Sequence, residues 1–144
     1  MTTMIDPTFT YTDADHEQYT REGYYLFERF LSEEGLAFGR QELDRMLGQL
    51  QPGRSPEHMI SCHHQEPWIF DLACEPQILD LVEKQIGPDI VLWSTHFLNK
   101  PPHTGKPVPW HQDLPYWDVE GELPGGLWIP FDDVADDNGT MSIL

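Results

Sequence analysis

The sequence is poor in positive charge. Its 144 residues contain 8 lysines and arginines against 25 aspartates and glutamates, which gives a formal net charge of −17. Nucleic acids and anionic membrane surfaces are bound through basic patches, so this balance argues against both as partners. Solubility is the simplest interpretation of the acidity. A small anionic ligand stays compatible with it, because such a ligand needs only one or two well-placed cations.

Cysteine and long apolar runs are also scarce. Cys62 and Cys74 are the only cysteines, too few for a disulfide framework and typical of a reducing compartment, so we expect a cytoplasmic protein. We find no signal-peptide pattern at the N-terminus and no apolar run of membrane-spanning length. Hydrophobic residues make up 39% of the chain, which is enough for a core, and we expect residues 1–144 to form a single domain.

The first part of the chain has helical patterns. Residues 1–11 lack periodicity and are expected to be a loose tail, whereas residues 12–88 are expected to be mainly helical. Capping residues together with glycine and proline stops divide this region. The predicted helices run from residue 12 or 13 to 21, from 32 to 50, from 67 to 73 and from 76 to 86. Residues 24–27 are aromatic and apolar, which predicts a strand between the first two helices.

Residues 89–144 have the pattern of a sheet. Residues 90–98 and 127–131 predict strands. Asn138-Gly139 favours a hairpin turn, after which residues 140–144 begin a returning strand. Helices first and then strands joined by turns predict an α+β fold with a mostly β core built on an antiparallel sheet.

The most informative motif is His111-Gln112-Asp113. In an extended segment, side chains two residues apart point to the same face, so His111 and Asp113 can bind one ion together. One imidazole and one carboxylate are two of the three ligands in the facial triad of non-heme Fe(II) oxygenases. A single pair of this kind is a weak signal. A histidine hydrogen-bonded to an aspartate explains the spacing equally well, and no histidine follows His111.

Cations are especially rare in the second half of the chain. Lys100 and Lys106 are the only ones from residue 85 to residue 144. A small anionic ligand in so acidic a region would need a cation. Lys100 continues a predicted strand, and its position should therefore be better defined than that of Lys106 in the proline-rich loop. Lys100 is the candidate, and an ordinary solvated lysine is the alternative.

Three aromatic residues accompany the motif. Tyr116 and Trp117 follow it directly, and Trp128 lies in the next predicted strand. Binding pockets for small molecules are largely apolar with a few polar anchors, so these rings are candidates to line one. Packing in the core is the alternative for all three, and it is the simpler interpretation of Trp128.

In this order, the motifs resemble the phytanoyl-CoA dioxygenase family of Fe(II)/2-oxoglutarate oxygenases. The resemblance is carried by three segments: residues 99–102 (Asn-Lys-Pro-Pro), residues 110–117 (Trp-His-Gln-Asp-Leu-Pro-Tyr-Trp) and residues 127–134, which lead into Asn138-Gly139. Residues 23–26 and 30–34 also match the way such proteins usually open. The resemblance therefore spans nearly the whole chain.

The resemblance implies a fold and a reaction. The fold is a double-stranded β-helix, or jelly roll, with N-terminal helices packed on one face, and residues 89–144 would be its first strands. The reaction is the hydroxylation of a small organic or acyl substrate with release of succinate and CO₂. Halogenation is not expected, because halogenating relatives have a small residue in place of the carboxylate.

The resemblance also assigns roles to individual residues. His111 and Asp113 would be the first two Fe(II) ligands, and Lys100 would lie near 2-oxoglutarate. Among the aromatic residues beside the motif, we expect Trp128 to contact 2-oxoglutarate, and Tyr116 and Trp117 to contact the substrate. The family's distal histidine and arginine follow the Asn-Gly turn, and this chain has neither. Two alternatives therefore stay open: an inactive truncated or remnant member of the family, and a metal-binding module without turnover. A second copy or a partner chain is expected to cover the open edge of the sheet.

Overall fold

Four helices and one small sheet make up the regular structure of the part of the chain that the structure describes. The structure, a computed structural model, describes residues 3–116 and 125–144. The helices are α1 (Asp13–Glu22), α2 (Glu33–Gly48), α3 (Pro67–Ala73) and α4 (Pro76–Ile86), and the strands are β1 (Met59–Ile60) and β2 (His96–Phe97). Three short 3₁₀ turns span Pro56–His58, Cys62–His64 and Leu114–Tyr116. In this described part, no helix is long and apolar enough to cross a membrane.

The helices begin and end where the local sequence predicts. Thr12 and Asp15 form a reciprocal capping box at the start of α1, and Gly23 ends the helix with a φ of +81°. Ser32 caps α2 by accepting the N–H of Gly35. The predicted bounds of α3 and α4 coincide with the observed ones. These predictions are confirmed because capping depends on a few neighbouring residues only.

The N-terminal segment packs against the start of α2, and it is not the loose tail that the sequence suggested. Met4 and Ile5 are buried, and Ile5 pairs with Leu31 in an isolated antiparallel bridge. The N–H of Ser32 donates to the carbonyl oxygen of Met4 at 2.9 Å. Two apolar residues are too few to create a periodic pattern, so sequence periodicity could not reveal this contact.

The core lies between α2, α3 and the C-terminal segment. Its buried members come from the N-terminal segment, the helical region, β1 and the C-terminal segment, namely Met4, Ile5, Leu43, Met46, Met59, Trp68, Ile69, Leu72, Ile78 and Phe131. Gly39 of α2 faces Phe131 so closely that a Cβ there would lie 2.6 Å from its Cδ1. The missing side chain at Gly39 therefore lets the C-terminal segment dock on the helical layer.

The sheet is much smaller than predicted. β1 and β2 pair antiparallel, with Met59 opposite Phe97 and Ile60 opposite His96. Residues 24–27, 127–131 and 140–144 form no strand in the structure, and of residues 90–98 only two do. Alternation of apolar residues predicts which side chains turn inward, whereas a strand also needs a hydrogen-bonded neighbour. The α+β class is therefore observed as helices plus a small sheet.

Residues 127–131 keep the alternation of a strand even without a partner. Leu127 and Ile129 are partly buried and pack against the core, Phe131 is buried, and Trp128 between them is 40% exposed. The segment thus presents one apolar side to the helices and the other side to solvent.

The buried histidine in the 3₁₀ turn Cys62–His64 ties this turn to the region of β2. His63 Nδ1 lies 2.9 Å from the hydroxyl oxygen of Thr95, and the ring of His64 lies 4.0 Å from that of His63. Burial lowers the pKa of His63, and the neighbouring His64 lowers that pKa further. The folded state therefore favours a neutral ring at this position.

We predict that Gly35→Ala destabilises the protein although alanine favours helices. A Cβ at Gly35 would overlap the Met4 backbone, at 2.6 Å from its Cα, and such overpacking costs about 1–3 kcal/mol. Gly48→Ala is the matched control in the same helix, because nothing lies within 4 Å of its added Cβ. Gly48→Ala should raise the free energy of unfolding by a few tenths of a kcal/mol to about 1 kcal/mol. Urea denaturation of both variants measures the difference, and equal effects would contradict the close contact with Met4.

We also predict a histidine-specific loss of stability in mild acid. The unfolded chain binds a proton at His63 as the pH falls through about 6.5, whereas the folded chain, with its lowered pKa, binds it only at a lower pH. The free energy of unfolding should therefore fall as the pH drops through that range. His63→Gln removes this contribution and leaves the carboxylates unchanged. Urea denaturation at about pH 7.5 and about pH 5.5 should show a steeper loss for the wild type than for the variant. Equal slopes would mean that His63 titrates alike in both states.

Candidate metal centre

His111 and Asp113 lie side by side, as two residues of one face should. His111 Nε2 is 3.1 Å from Asp113 Oδ1, and their side chains are 38% and 63% exposed. The proline-rich loop leads into the pair and the 3₁₀ turn Leu114–Tyr116 follows it. The structure therefore brings together the two candidate ligands at an accessible position on the surface.

The orientation of the His111 ring is set by a backbone carbonyl. His111 Nδ1 lies 2.7 Å from the carbonyl oxygen of Pro109. A carbonyl oxygen can only accept a hydrogen bond, so this contact is a hydrogen bond when Nδ1 carries the proton. In a neutral imidazole, Nε2 then has the lone pair, and this lone pair faces Asp113. Neutral imidazole and carboxylate are the forms in which these two side chains bind metals.

The residues after Asp113 fold back on the pair. The N–H of Tyr116 donates to the carbonyl oxygen of Asp113 at 2.9 Å. The ring of Tyr116 meets the ring of His111 edge-on, with 5.9 Å between centroids and 79° between planes. Tyr116 is 75% exposed, and its described ring contact is with His111. Trp117, the other residue predicted to contact substrate, lies outside the described residues.

The separation of the pair fits two neighbouring ligands of one ion. Nitrogen and oxygen ligands each lie about 2.1 Å from a divalent transition metal, so two at a right angle are about 3.0 Å apart. The observed 3.1 Å agrees with that arrangement. Within residues 3–116 and 125–144, no group of three or more His, Cys, Asp or Glu side chains could hold a metal. The described chain therefore offers two candidate ligands, and a metal site would need further ones.

Lys100 contacts the Asn-Gly turn. Its Nζ donates to the carbonyl oxygen of Gly139 at 3.3 Å. A Cβ at Gly139, where φ is +94°, would lie 2.7 Å from Lys100 Cδ. Asn138 closes the same turn by accepting the N–H of Ala135 at 2.7 Å. Lys100 thus joins the start of the proline-rich loop to the turn, and this contact uses one of its three N–H donors.

Trp128 is not part of the core, although packing in the core was the simpler interpretation of its position in the sequence. Its side chain is 40% exposed on the outer side of residues 127–131. The ring is therefore accessible, and no described ring contact joins it to His111 or Asp113.

Sequence reasoning missed the contact of His111 with the carbonyl oxygen of Pro109. Every residue has a carbonyl group, so no side-chain pattern marks the one that a histidine will contact. Only the direction of the backbone in the described loop reveals it.

Two cavities of the described chain lie away from the candidate pair. A groove of about 570 Å³ along α2 and a cavity of about 260 Å³ beside α4 are lined by neither His111 nor Asp113.

Comparison with known proteins places the chain in a family. The model of the phytanoyl-CoA dioxygenase (PhyH) family matches residues 19–144. The peroxisomal phytanoyl-CoA dioxygenase of Homo sapiens is 26% identical over 136 residues, which cover 92% of this chain and 40% of the human protein. No solved structure matches the chain.

Bacterial relatives of another name match equally well. The ectoine dioxygenase of Bordetella parapertussis is 27% identical over 123 residues, covering 77% of this chain and 40% of the relative. That of Nocardia farcinica is 23% identical over 158 residues, covering 97% of this chain and 53% of the relative. The chain therefore spans about half the length of these relatives, or less. Since the family model takes in most of the chain, including His111 and Asp113, the chain belongs to the phytanoyl-CoA dioxygenase family.

Proposed function

We propose that this protein provides the first two iron ligands of an Fe(II)- and 2-oxoglutarate-dependent dioxygenase that hydroxylates a small organic or acyl substrate. Membership of a family whose named relatives are dioxygenases supports the reaction class. The observation that carries the proposal is the 3.1 Å approach of His111 Nε2 to Asp113 Oδ1. The chain covers about 40% of two of these relatives, so the complete jelly roll and the complete activity are part of the proposal.

The chemistry of such a site divides between the ion and the protein. Bound iron supplies the oxidative step, in which O₂ and 2-oxoglutarate yield succinate and CO₂ while one oxygen atom enters a C–H bond of the substrate. His111 and Asp113 hold the ion and leave its other positions open. Tyr116 and Trp117 contact the substrate in our proposal.

The charges of the pair suit an anionic cosubstrate. Neutral His111 and ionised Asp113 contribute one negative charge to a divalent ion, so one positive charge is left on the site. A chain with a net charge of −17 otherwise repels a dianion. Lys100 supplies a second positive charge and has donors to spare for a carboxylate, while Trp128 offers an exposed ring beside it in our proposal.

The names of the relatives do not choose a substrate. The human relative is named for phytanoyl-CoA, an acyl thioester, and the bacterial ones for ectoine. For this chain we propose only the broad class of small organic or acyl substrates. Its location in the cytoplasm likewise stays a prediction, since the human relative is peroxisomal.

A metal-binding or remnant protein without turnover is the second candidate. Within the described ranges, the structure supplies no third His, Cys, Asp or Glu beside the pair. Two protein ligands hold iron less firmly than three. This candidate predicts binding of the ion without consumption of 2-oxoglutarate, so measurement of succinate release distinguishes it from the dioxygenase.

A partner is proposed for the open edge of the sheet region. Leu98, directly after β2, is 50% exposed, and Val91, five residues before β2, is 79% exposed. Open sheet edges and exposed apolar side chains favour association. We therefore propose that a second copy or a partner chain covers the open edge.

The proposal predicts a ternary complex that depends on both ligands. Anaerobic addition of Fe(II) and 2-oxoglutarate should produce a saturable visible charge-transfer band. His111→Ala and Asp113→Ala should each weaken Fe(II) binding by more than about 100-fold, beyond the 10–100-fold that loss of an outer partner typically costs. His64→Ala and Asp136→Ala are matched controls at exposed positions and should leave the band unchanged. A folded wild-type chain without a band would exclude the proposed site, and a band that survives in His111→Ala would place the iron elsewhere.

The role proposed for Lys100 predicts a selective loss of cosubstrate binding. Lys100→Met removes a charged donor worth about 1.5–3 kcal/mol to a carboxylate, so 2-oxoglutarate should bind roughly ten- to a hundredfold more weakly. Fe(II) binding should not change. Lys106→Met is the control, because it removes the same charge from the same loop. Calorimetric titration of both variants gives the comparison, with thermal unfolding recorded to follow the lost contact with Gly139. Equal affinities in the two variants would leave Lys100 with its structural contact alone.

A further inference from the structure

The neutral imidazole of His111 has one proton and two candidate acceptors. The carbonyl oxygen of Pro109 lies 2.7 Å from Nδ1, and Asp113 Oδ1 lies 3.1 Å from Nε2. A proton on Nδ1 leaves the lone pair of Nε2 free for an ion, whereas a proton on Nε2 turns the two side chains into a hydrogen-bonded His–Asp pair. The tautomer therefore decides whether His111 can bind a metal through Nε2 or donates a hydrogen bond from Nε2 to Asp113.

The geometry favours the proton on Nδ1. The contact with Pro109 is the shorter of the two and has the alignment of a hydrogen bond. The approach of Nε2 to Asp113 Oδ1 is longer, at 3.1 Å. Asp113 is also 63% exposed, so water can satisfy its carboxylate. A ring nitrogen that keeps its proton for Pro109 has no second proton to offer to Asp113.

The contact with Pro109 is built into three consecutive residues. The acceptor precedes His111 by two positions, so the local backbone sets the distance and no distant packing is needed. The proline ring holds φ of residue 109 near about −65°, which restricts the direction of the carbonyl that follows it. Tyr116 meets the imidazole edge-on from the other side of the motif, and this contact limits rotation of the ring.

We propose that Pro109 is a positioning residue of the metal centre. Its carbonyl oxygen accepts the Nδ1 proton of His111 and so presents the unprotonated Nε2 beside Asp113. This inference rests on the proposed function for the ion that binds at Nε2, whereas the tautomer itself is a property of the metal-free chain. Partners of this kind fix the tautomer and the orientation of ligating histidines in metal sites generally.

Two-bond ¹H–¹⁵N correlation NMR measures the tautomer directly. The sample is the full metal-free chain labelled with ¹⁵N-histidine at about pH 8.5, where exposed histidines are neutral. His111→Ala identifies the signals of His111. We expect a protonated Nδ1 and an unprotonated Nε2, the reverse of the preference of free histidine in water. A wild-type His111 protonated on Nε2 overturns the proposal, because the ring would then serve as a donor to Asp113.

Two proline variants separate positioning from general effects on the loop. Pro109→Gly should shift the proton of His111 toward Nε2, whereas Pro107→Gly, the matched control in the same loop, should not. An unchanged tautomer in Pro109→Gly overturns the proposal. The wild-type spectrum decides the proposal even if Pro109→Gly fails to fold.

Metal binding provides an independent reading of the same variants. The dissociation constant for Co(II), used as an air-stable probe, should rise roughly 10–100-fold in Pro109→Gly and stay unchanged in Pro107→Gly. Equal affinities in the two variants overturn the positioning role. A wild-type chain that shows the Nδ1-protonated ring but binds neither Co(II) nor Fe(II) supports the contact with Pro109 and overturns the proposed function, so the two failures are distinguishable.

Discussion

Two glycines of α2 let two other segments pack closely against this helix, and this packing holds the described chain together. Gly35 accepts the backbone of Met4, and Gly39 accepts the ring of Phe131. These contacts bring the N-terminal segment and residues 127–131 to the same helix, at the centre of the core. Arg40 on the next turn adds an ion pair to Asp132 at 2.7 Å, although both side chains are largely exposed and such pairs contribute little. The helical layer is thus the support on which the C-terminal half of the chain is placed.

The candidate metal centre is organised on a different principle, because its contacts are local. His111 Nδ1 donates to the carbonyl oxygen of Pro109, two residues before it, and Asp113 is held by the turn that ends at Tyr116. Lys100 is the exception, since it reaches the turn at Gly139. A pair of ligands built from one short segment can keep its geometry with little support from the core. This property suits a site that lies largely at the surface of the described chain.

Sequence reasoning succeeded where structure is determined by near neighbours. Thr12 and Ser32 as caps, Gly23 as a stop and the two prolines that begin α3 and α4 could all be identified from a few adjacent residues. The adjacency of His111 and Asp113 also follows from their spacing alone. The motif was sufficient to suggest the family, which the match to residues 19–144 confirms.

Sequence reasoning failed where structure depends on distant partners. Residues 127–131 alternate like a strand but form none with the described residues, and Ile5 pairs with Leu31, 26 positions along the chain. The side-chain pattern does not indicate the direction of the Pro109 carbonyl. The contact of Lys100 with Gly139 joins positions 39 residues apart, and no local pattern predicts such a contact. The roles of Lys100, Trp128, Tyr116 and Trp117 in binding therefore stay predictions.

An anaerobic crystal structure of the protein with Mn(II) and 2-oxoglutarate tests the central claim most directly. Our account predicts one ion about 2.1–2.2 Å from His111 Nε2 and from a carboxylate oxygen of Asp113, with Nδ1 still hydrogen-bonded to Pro109 and 2-oxoglutarate bound through two oxygens. An ion bound at Nδ1, or a soaked crystal in which Nε2 still faces Asp113 with no ion between them, would contradict it.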